Sequence, residues 1–98
     1  MLAIGSKTSG IICRIQPGYI SDPDVHPEEQ GNYLLQGKEI WCVGDEGKEQ
    51  AFEMTAGSLL IIEPNERHWA RVIGDEEVIL LCFFGPPRPD HLCDLGRK

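Results

Sequence analysis

Short apolar segments separated by turn residues run along the whole chain, and they constrain its fold more than any other feature. The segments are rich in Ile, Val, Leu, Trp, Tyr and Phe, which suit a half-buried strand, and none shows the period of an amphipathic helix. The predicted strands cover residues 10–16, 19–22, 30–36, 39–43, 49–54, 58–62, 68–73 and 78–84. Eight strands this short indicate an all-β sandwich or barrel, formed as a single domain over residues 1–98.

Turn residues mark where the chain reverses between these strands. Gly37 predicts a tight hairpin between the strands at 30–36 and 39–43, and the charged stretch 44–48 predicts another. Pro86 and Pro87 end the last strand, because proline cannot donate a hydrogen bond to a neighbouring strand. The tail at 88–98 is expected to be a short helix or flexible.

Charge and length limit the partners to be expected. Nine Lys and Arg against sixteen Asp and Glu give a net charge of −7, which repels phosphate backbones and argues against nucleic acid. No apolar run reaches the ~20 residues of a membrane helix, and the N-terminus lacks a secretory signal design. Because so short a chain buries a modest core and sheet edges seek partners, a homodimer is expected.

The four cysteines bear on the compartment of the protein. They form no C-x-x-C pair and no zinc spacing, and three of them, Cys13, Cys42 and Cys82, lie within apolar runs. We expect these three to be reduced core thiols, which is typical of a cytoplasmic protein. Cys93 lies in the polar tail and is expected to be exposed.

Two stretches of the chain contain the polar residues that can form a site. They read Gly18-x5-Asp24-x-His26-x3-Gln30-x6-Gly37 and Gly57-x5-Glu63-x-Asn65-x2-His68. Even spacing lets Asp24, His26 and Gln30 project to the same side of an extended chain. Closure of a barrel can bring His68 opposite them.

Two histidines and a carboxylate are a recognised metal-binding combination. Asp24, His26 and His68 are therefore candidate ligands of a divalent transition metal, and the donor types alone do not choose among Fe, Mn, Ni and Zn. Gln30 is a candidate fourth ligand through its neutral amide oxygen. Alternatively, it holds a water molecule or a substrate by hydrogen bonds.

The spacing of the two stretches resembles the signature of the cupin superfamily, G-x5-H-x-H-x3-E-x6-G followed by G-x5-P-x-G-x2-H. Cupins usually hold one metal ion between these motifs, so the resemblance implies a double-stranded β-helix (cupin, or jelly-roll) barrel. Here Asp24 replaces the first His and Gln30 replaces the Glu. Asn65 replaces the Gly of the second motif, and it is one of the few residues that tolerates a positive φ.

The C-terminal half is similar to one cupin family, the ectoine synthases. The similarity lies in Gly57…Arg67-His68…Arg71 and in Cys82-x-Phe84-x-Pro86-Pro87. That family cyclises an acetylated diaminobutyrate, with loss of water, at an iron site. The resemblance would carry its ligands onto Gln30, Leu60 and His68, and only the histidine is kept. It therefore implies shared ancestry rather than shared activity.

Three functions remain open from the sequence, and one of them is a standalone scaffold that dimerises without a ligand. Another is a metal-dependent enzyme acting on an unknown small molecule, with Glu28 or Glu29 as a general base or as a substitute for Gln30. The alternative is a metal-free module that binds a small molecule without catalysis. The fold does not choose between them, because cupins host many reactions. The residues expected to contact a ligand are Tyr33, Leu60 and Trp69.

Overall fold

Eight antiparallel strands in two sheets make up the part of the chain that the computed structural model describes, residues 2–87. They are β1 (Leu2–Ile4), β2 (Ser9–Ile15), β3 (Glu29–Gln36), β4 (Lys38–Val43), β5 (Gln50–Met54), β6 (Leu59–Ile62), β7 (His68–Ile73) and β8 (Val78–Gly85). One sheet has the order β1-β2-β8-β3-β6 and the other β5-β4-β7. The predicted all-β jelly-roll barrel is confirmed.

Three sequence predictions differ from the observed elements. Residues 19–22 contribute only a single bridge, from Ile20 to Arg71, and not a strand. The short strand β1 was not predicted. The prediction of a hairpin at Gly37 is wrong, because β3 and β4 lie in different sheets. Both edges of β3 are already paired, with β6 and with β8, so β4 has no free edge to join there.

The core forms between the facing sides of the two sheets. Alternate residues of β8 are buried, and the same alternation holds on β2 and β4, as expected where one face of a strand points inward. Within residues 2–87, fourteen buried apolar residues form one cluster that includes Leu34, Trp41, Ile62 and Leu80. Polar side chains share this interior, and they are Ser9, His26, Gln30, Asn32, Glu39 and His68.

The prediction of reduced core thiols is correct for Cys82 and wrong for Cys13, whereas Cys42 is a thiol but only half-buried, outside the core. Cys42 and Cys82 are free thiols, and burial raises the pKa of both. Cys13 is disulfide-bonded. Apolar neighbours predict burial of a cysteine but do not distinguish a thiol from a disulfide, so the sequence pattern could not settle this. Cys93 and the tail at 88–98 lie outside the described residues.

None of residues 2–87 belongs to a helix long and apolar enough to cross a membrane.

Candidate metal site

Three side chains able to bind a metal converge where the chain enters β3 and β7. The ligand atoms of Asp24, His26 and His68 all lie within 4.8 Å of one another. An isolated bridge brings the two segments together. The Asp24 amide donates to the His68 carbonyl at 2.9 Å, and the His68 amide donates to the Asp24 carbonyl at 3.0 Å. Backbone pairing thus places the first motif against the start of β7.

Each histidine is fixed by a backbone carbonyl two residues away. Nδ1 of His26 lies 3.0 Å from the carbonyl oxygen of Glu28, and Nδ1 of His68 lies 2.8 Å from that of Glu66. A carbonyl can only accept, so Nδ1 carries the hydrogen and, in a neutral ring, Nε2 has the lone pair. Metal-binding histidines are commonly oriented by such a bond. Both rings are therefore the tautomer suited to binding through Nε2.

A chain of buried amides fixes the side chain that faces His26. The Asn32 Nδ2 group donates to the Leu60 carbonyl at 3.5 Å, which leaves its Oδ1 to accept from Gln30 Nε2 at 2.7 Å. The remaining amide oxygen, Gln30 Oε1, then lies 2.9 Å from His26 Nε2. Two acceptors face each other across this gap when the ring is neutral. A proton on the ring or a metal ion between the two atoms satisfies both.

The turn of the second motif is held on both sides. Asn65 adopts a φ of 63°, as its place in the motif predicts, and its amide donates to the His26 carbonyl at 2.8 Å. On the other side, Arg67 donates to Glu49 at 3.0 Å and to the Gly44 carbonyl at 3.4 Å. The Arg67 hydrogen bond holds the pKa of the Glu49 carboxyl below its usual range. These contacts fix the loop that precedes His68.

Aromatic rings surround the two histidines. The His26 ring lies edge-on to His68 at 4.9 Å and to Phe84 at 5.9 Å between centroids. The Trp41 indole stacks on His68, with centroids 6.1 Å apart and an interplanar angle of 25°. The indole Nε1–H donates to Glu39 Oε1 at 3.0 Å. The two imidazoles therefore sit between aromatic walls in the interior, 6% and 5% exposed.

Glu39, a carboxyl that is 1% exposed inside the barrel, lies outside both motifs and was not predicted as a site residue. Burial raises its pKa to about 7, and the Trp41 hydrogen bond partly opposes that rise. The signal was present in the alternation of β4, where Glu39 shares the inward phase with Trp41 and Val43. Asn32 was missed in the same way, between Gln30 and Leu34 on β3.

The two glutamates between His26 and Gln30 lie away from Nε2 of His26, the nitrogen available to a metal. Glu28 Oε1 is 3.6 Å from His26 Nδ1, the side of the ring that is tied to the backbone. Glu29 is exposed on β3. Gln30, and neither acidic residue, is the side chain beside Nε2.

The three predicted ligand contacts occupy two kinds of position. Leu60 packs against the core beside Asn32, its register partner on β3. Tyr33 and Trp69 alternate with buried neighbours on β3 and β7, so their side chains lie on the outer faces of the sheets. A ligand-binding role for these three residues stays a prediction.

The fold and site together define a small β-barrel protein with a candidate metal centre built from two sequence motifs. Comparison with known families agrees: the cupin domain family matches residues 11–84. The chain belongs to the cupin domain family.

Individual relatives are more distant. L-ectoine synthase of Aliivibrio fischeri (strain MJ11) is 25% identical, over 57% of this chain and 48% of its own length. This chain thus spans about half the length of the curated relatives it matches. The crystal structure of BH2720 from Bacillus halodurans superposes with a TM-score of 0.84 at 20% identity, over 90% of this chain and 69% of that one. Bacillus subtilis oxalate decarboxylase, which has Mn(II) centres, gives 0.75 at 20% identity, over 83% and 22%.

Proposed function

We propose that Asp24, His26 and His68 bind one divalent transition metal ion, and that a small molecule binds at the coordination positions they leave open. The observation that carries the proposal is the convergence of their ligand atoms within 4.8 Å. The orientation of both imidazoles also supports the proposal. Each ring is held through Nδ1, which leaves Nε2 available to bind a metal. Gln30 Oε1, beside His26 Nε2 at 2.9 Å, is the proposed fourth ligand.

The charge of this ligand set favours an anionic or strongly polar small molecule. Two neutral imidazoles, one carboxylate and one neutral amide leave a divalent ion with a net charge of about +1. A carboxylate or an enolate-like oxygen of the small molecule would neutralise that charge. Phe84 and Trp41 beside the histidines exclude water, which strengthens such an attraction.

The chemistry that a bound ion supplies here is Lewis acidity toward an oxygen of the small molecule. The chain's own residues orient that ion and restrict access to it. Formation of ectoine is not proposed, because Leu60 stands where the resemblance would place a metal-binding tyrosine. The substrate is a small molecule whose identity the ligand set does not specify.

A second candidate function is binding of a small molecule without metal. The contact between Gln30 Oε1 and His26 Nε2 favours it, because a proton on the ring satisfies both atoms as well as a metal does. In that case Gln30 Oε1 and His26 Nε2 are the polar atoms that a ligand would contact, and the protein has no catalytic centre.

Elemental analysis of the protein, purified without a metal-binding tag, tests the first function. We expect about one equivalent of a transition metal in the wild type and its loss in His68→Ala. Gln30→Glu restores a charged ligand and should raise metal affinity about tenfold, because affinity follows the charge of the ligand set.

Asp24→Asn removes a proposed ligand charge, and Asp22→Asn, two residues earlier on an exposed side chain, is its matched control. Asp24→Asn should lower metal affinity, whereas Asp22→Asn should not. Equal metal content in the wild type, His68→Ala and Asp24→Asn would contradict the site. No metal after loading with Fe(II), Mn(II), Ni(II) or Zn(II) would favour the metal-free function.

A further inference from the structure

A buried acid lies behind the candidate metal site. Glu39 occupies the inward face of β4, and its register partners on β5 and β7 are Met54 and Val72, which offer it no side-chain hydrogen bond. Among residues 2–87, the carboxyl has one hydrogen-bond partner, the Trp41 indole at 3.0 Å. Burying a carboxyl is costly, and an apolar side chain would avoid the cost. We therefore expect Glu39 to contribute through the Trp41 indole, whose N–H it accepts.

The group held by Glu39 forms one wall of the candidate site. The Trp41 indole stacks on the His68 imidazole, 6.1 Å between centroids, while its N–H points to the carboxyl. Trp41 is 1% exposed, so no water can replace that acceptor without a rearrangement. Loss of the acceptor would leave a buried N–H unpaired, which is unfavourable. The indole would then turn, and the imidazole stacked on it would lose its support.

We propose that Glu39 is a positioning residue that acts through Trp41 to hold the His68 imidazole toward the ligand atoms of Asp24 and His26. The functional role of the His68 orientation rests on the proposed metal-binding function. The orientation of the ring itself does not depend on a bound metal. Metal-free and metal-binding measurements can therefore test the two proposals separately.

The ionisation of Glu39 gives this arrangement a spectroscopic signature. Burial raises the pKa of its carboxyl to about 7. The titratable group that faces it from the opposite sheet is the Cys82 thiol, whose pKa is raised by burial and by Glu39. Met54 and Val72 carry no charge. A carboxylate accepts more strongly than a carboxylic acid, so the Trp41 indole N–H resonance should move as pH crosses neutrality.

Nuclear magnetic resonance of the metal-free protein tests the proposal directly. In the wild type, the stacked indole should shift the His68 ring protons upfield through its ring current. Glu39→Gln keeps an oxygen acceptor and should retain that shift, but it should reduce the pH-dependent movement of the indole N–H to the part caused by the stacked His68 ring. Glu39→Leu removes the acceptor and should reduce the His68 shift. Met54→Leu, at the register partner of Glu39, controls for repacking and should leave the shift unchanged.

Metal affinity provides the second readout, measured by titration of each variant with Zn(II). Glu39→Leu should bind about tenfold more weakly than the wild type, and Glu39→Gln within about twofold, since groups that orient metal ligands typically contribute that much. An unchanged His68 shift in a folded Glu39→Leu would overturn the positioning role, whatever the metal result. A reduced shift without metal binding in the wild type would support it and overturn only the metal function.

Discussion

Glu39 is a carboxyl buried in the barrel interior with one hydrogen-bond donor among the described residues. Its side chain is 1% exposed and faces Met54, Val72 and the Cys82 thiol, none of which is a cation. The charged form of a carboxyl loses its hydration there, and the single Trp41 hydrogen bond restores only part of it. The folded protein therefore binds a proton at Glu39 that the unfolded chain releases at lower pH.

This difference predicts how stability depends on pH. The pKa of Glu39 rises from 4.5 to about 7 on folding, so its contribution is fully present below pH 4.5 and is lost as pH rises through about 7. The free energy of unfolding should fall by roughly 3 kcal/mol across that window. Relative to wild type, Glu39→Gln should gain stability as pH rises, and urea unfolding at pH values on both sides of the window measures it.

The comparison of the two proteins removes the contributions of other titrating groups, such as Glu49, whose pKa is shifted downward. A constant difference between wild type and Glu39→Gln at every pH would mean that folding does not change the pKa of Glu39. That outcome would contradict its burial without a cation.

At this scale the sequence predicted the residues at the signature positions of the two motifs and missed polar residues at other positions, such as Asn32 and Glu39. The spacing of Asp24, His26 and His68 predicted their convergence, because backbone pairing brings the two motifs together. The positive φ of Asn65 was also predicted, and it is 63°. Glu39 was missed because no motif contains it and its role comes from a contact with Trp41 on its own strand.

The turn that joins two strands does not by itself determine whether those strands pair with each other. Gly37, with a φ of 91°, turns the chain from β3 in one sheet to β4 in the other. From the sequence, this tight turn predicts a hairpin, because a hairpin and a corner between two sheets both favour a glycine at this position. The register of β3 with β6 and β8 decides between them, and that register is a property of the whole barrel.

A matched pair of glycines tests the packing at this corner. A Cβ on Gly37 would lie 2.8 Å from Val78 Cγ2 and 3.1 Å from the Glu77 carbonyl oxygen, whereas a Cβ on Gly57 would meet nothing within 4 Å. Their φ values are similar, 91° and 96°. Gly57→Ala should cost about 1–2 kcal/mol of unfolding free energy from backbone strain alone. Gly37→Ala should cost about 2–4 kcal/mol, because crowding adds to the strain.

Chemical denaturation of the two variants under the same conditions provides the measurement. Equal losses at the two positions would show that backbone strain alone limits both, and that the corner at Gly37 is not closely packed against β8. At the scale of elements, seven of the predicted strands correspond to observed ones, and the exception, residues 19–22, forms only a bridge.

The outer side of the five-stranded sheet carries an apolar face. Register places Ile12, Leu81, Tyr33 and Leu59 in one row across four strands. Ile12 and Leu59 are 42% and 60% exposed, and Ile61 in the neighbouring row is 47% exposed. This row has no charged residue, on a chain whose net charge is −7.

We expect a second copy of the chain to cover this apolar face. Four strands at ~4.8 Å spacing and about 20 Å in length give roughly 400 Å² per copy, or about 800 Å² for a pair. That area is below the ~1,000 Å² of a specific interface, so side chains that project from the face, such as Ile61, must add to the contact. A net charge of −7 opposes association of two copies through their acidic surfaces. An uncharged apolar face can instead pack against the same face of a second copy about a two-fold axis.

Light scattering of the intact protein measures this assembly. The wild type should have the mass of a dimer, and Leu59→Lys and Ile61→Lys should be monomeric. Phe52→Lys places the same charge on an exposed apolar residue of β5, in the other sheet, and should remain dimeric. A monomeric wild type, or dissociation by Phe52→Lys alone, would contradict the assignment of the interface.

The whole molecule is a barrel whose two motifs bring one carboxylate and two imidazoles together, and binding of a metal through both Nε2 atoms is the central claim about it. A long-range proton–nitrogen correlation spectrum of the histidine rings, recorded before and after addition of Zn(II), tests that claim most directly. We predict that the resonances of His26 and His68 change at Nε2, while Nδ1 of each ring keeps the proton that it donates to a backbone carbonyl. Binding through Nδ1, or changes confined to His91, would contradict it.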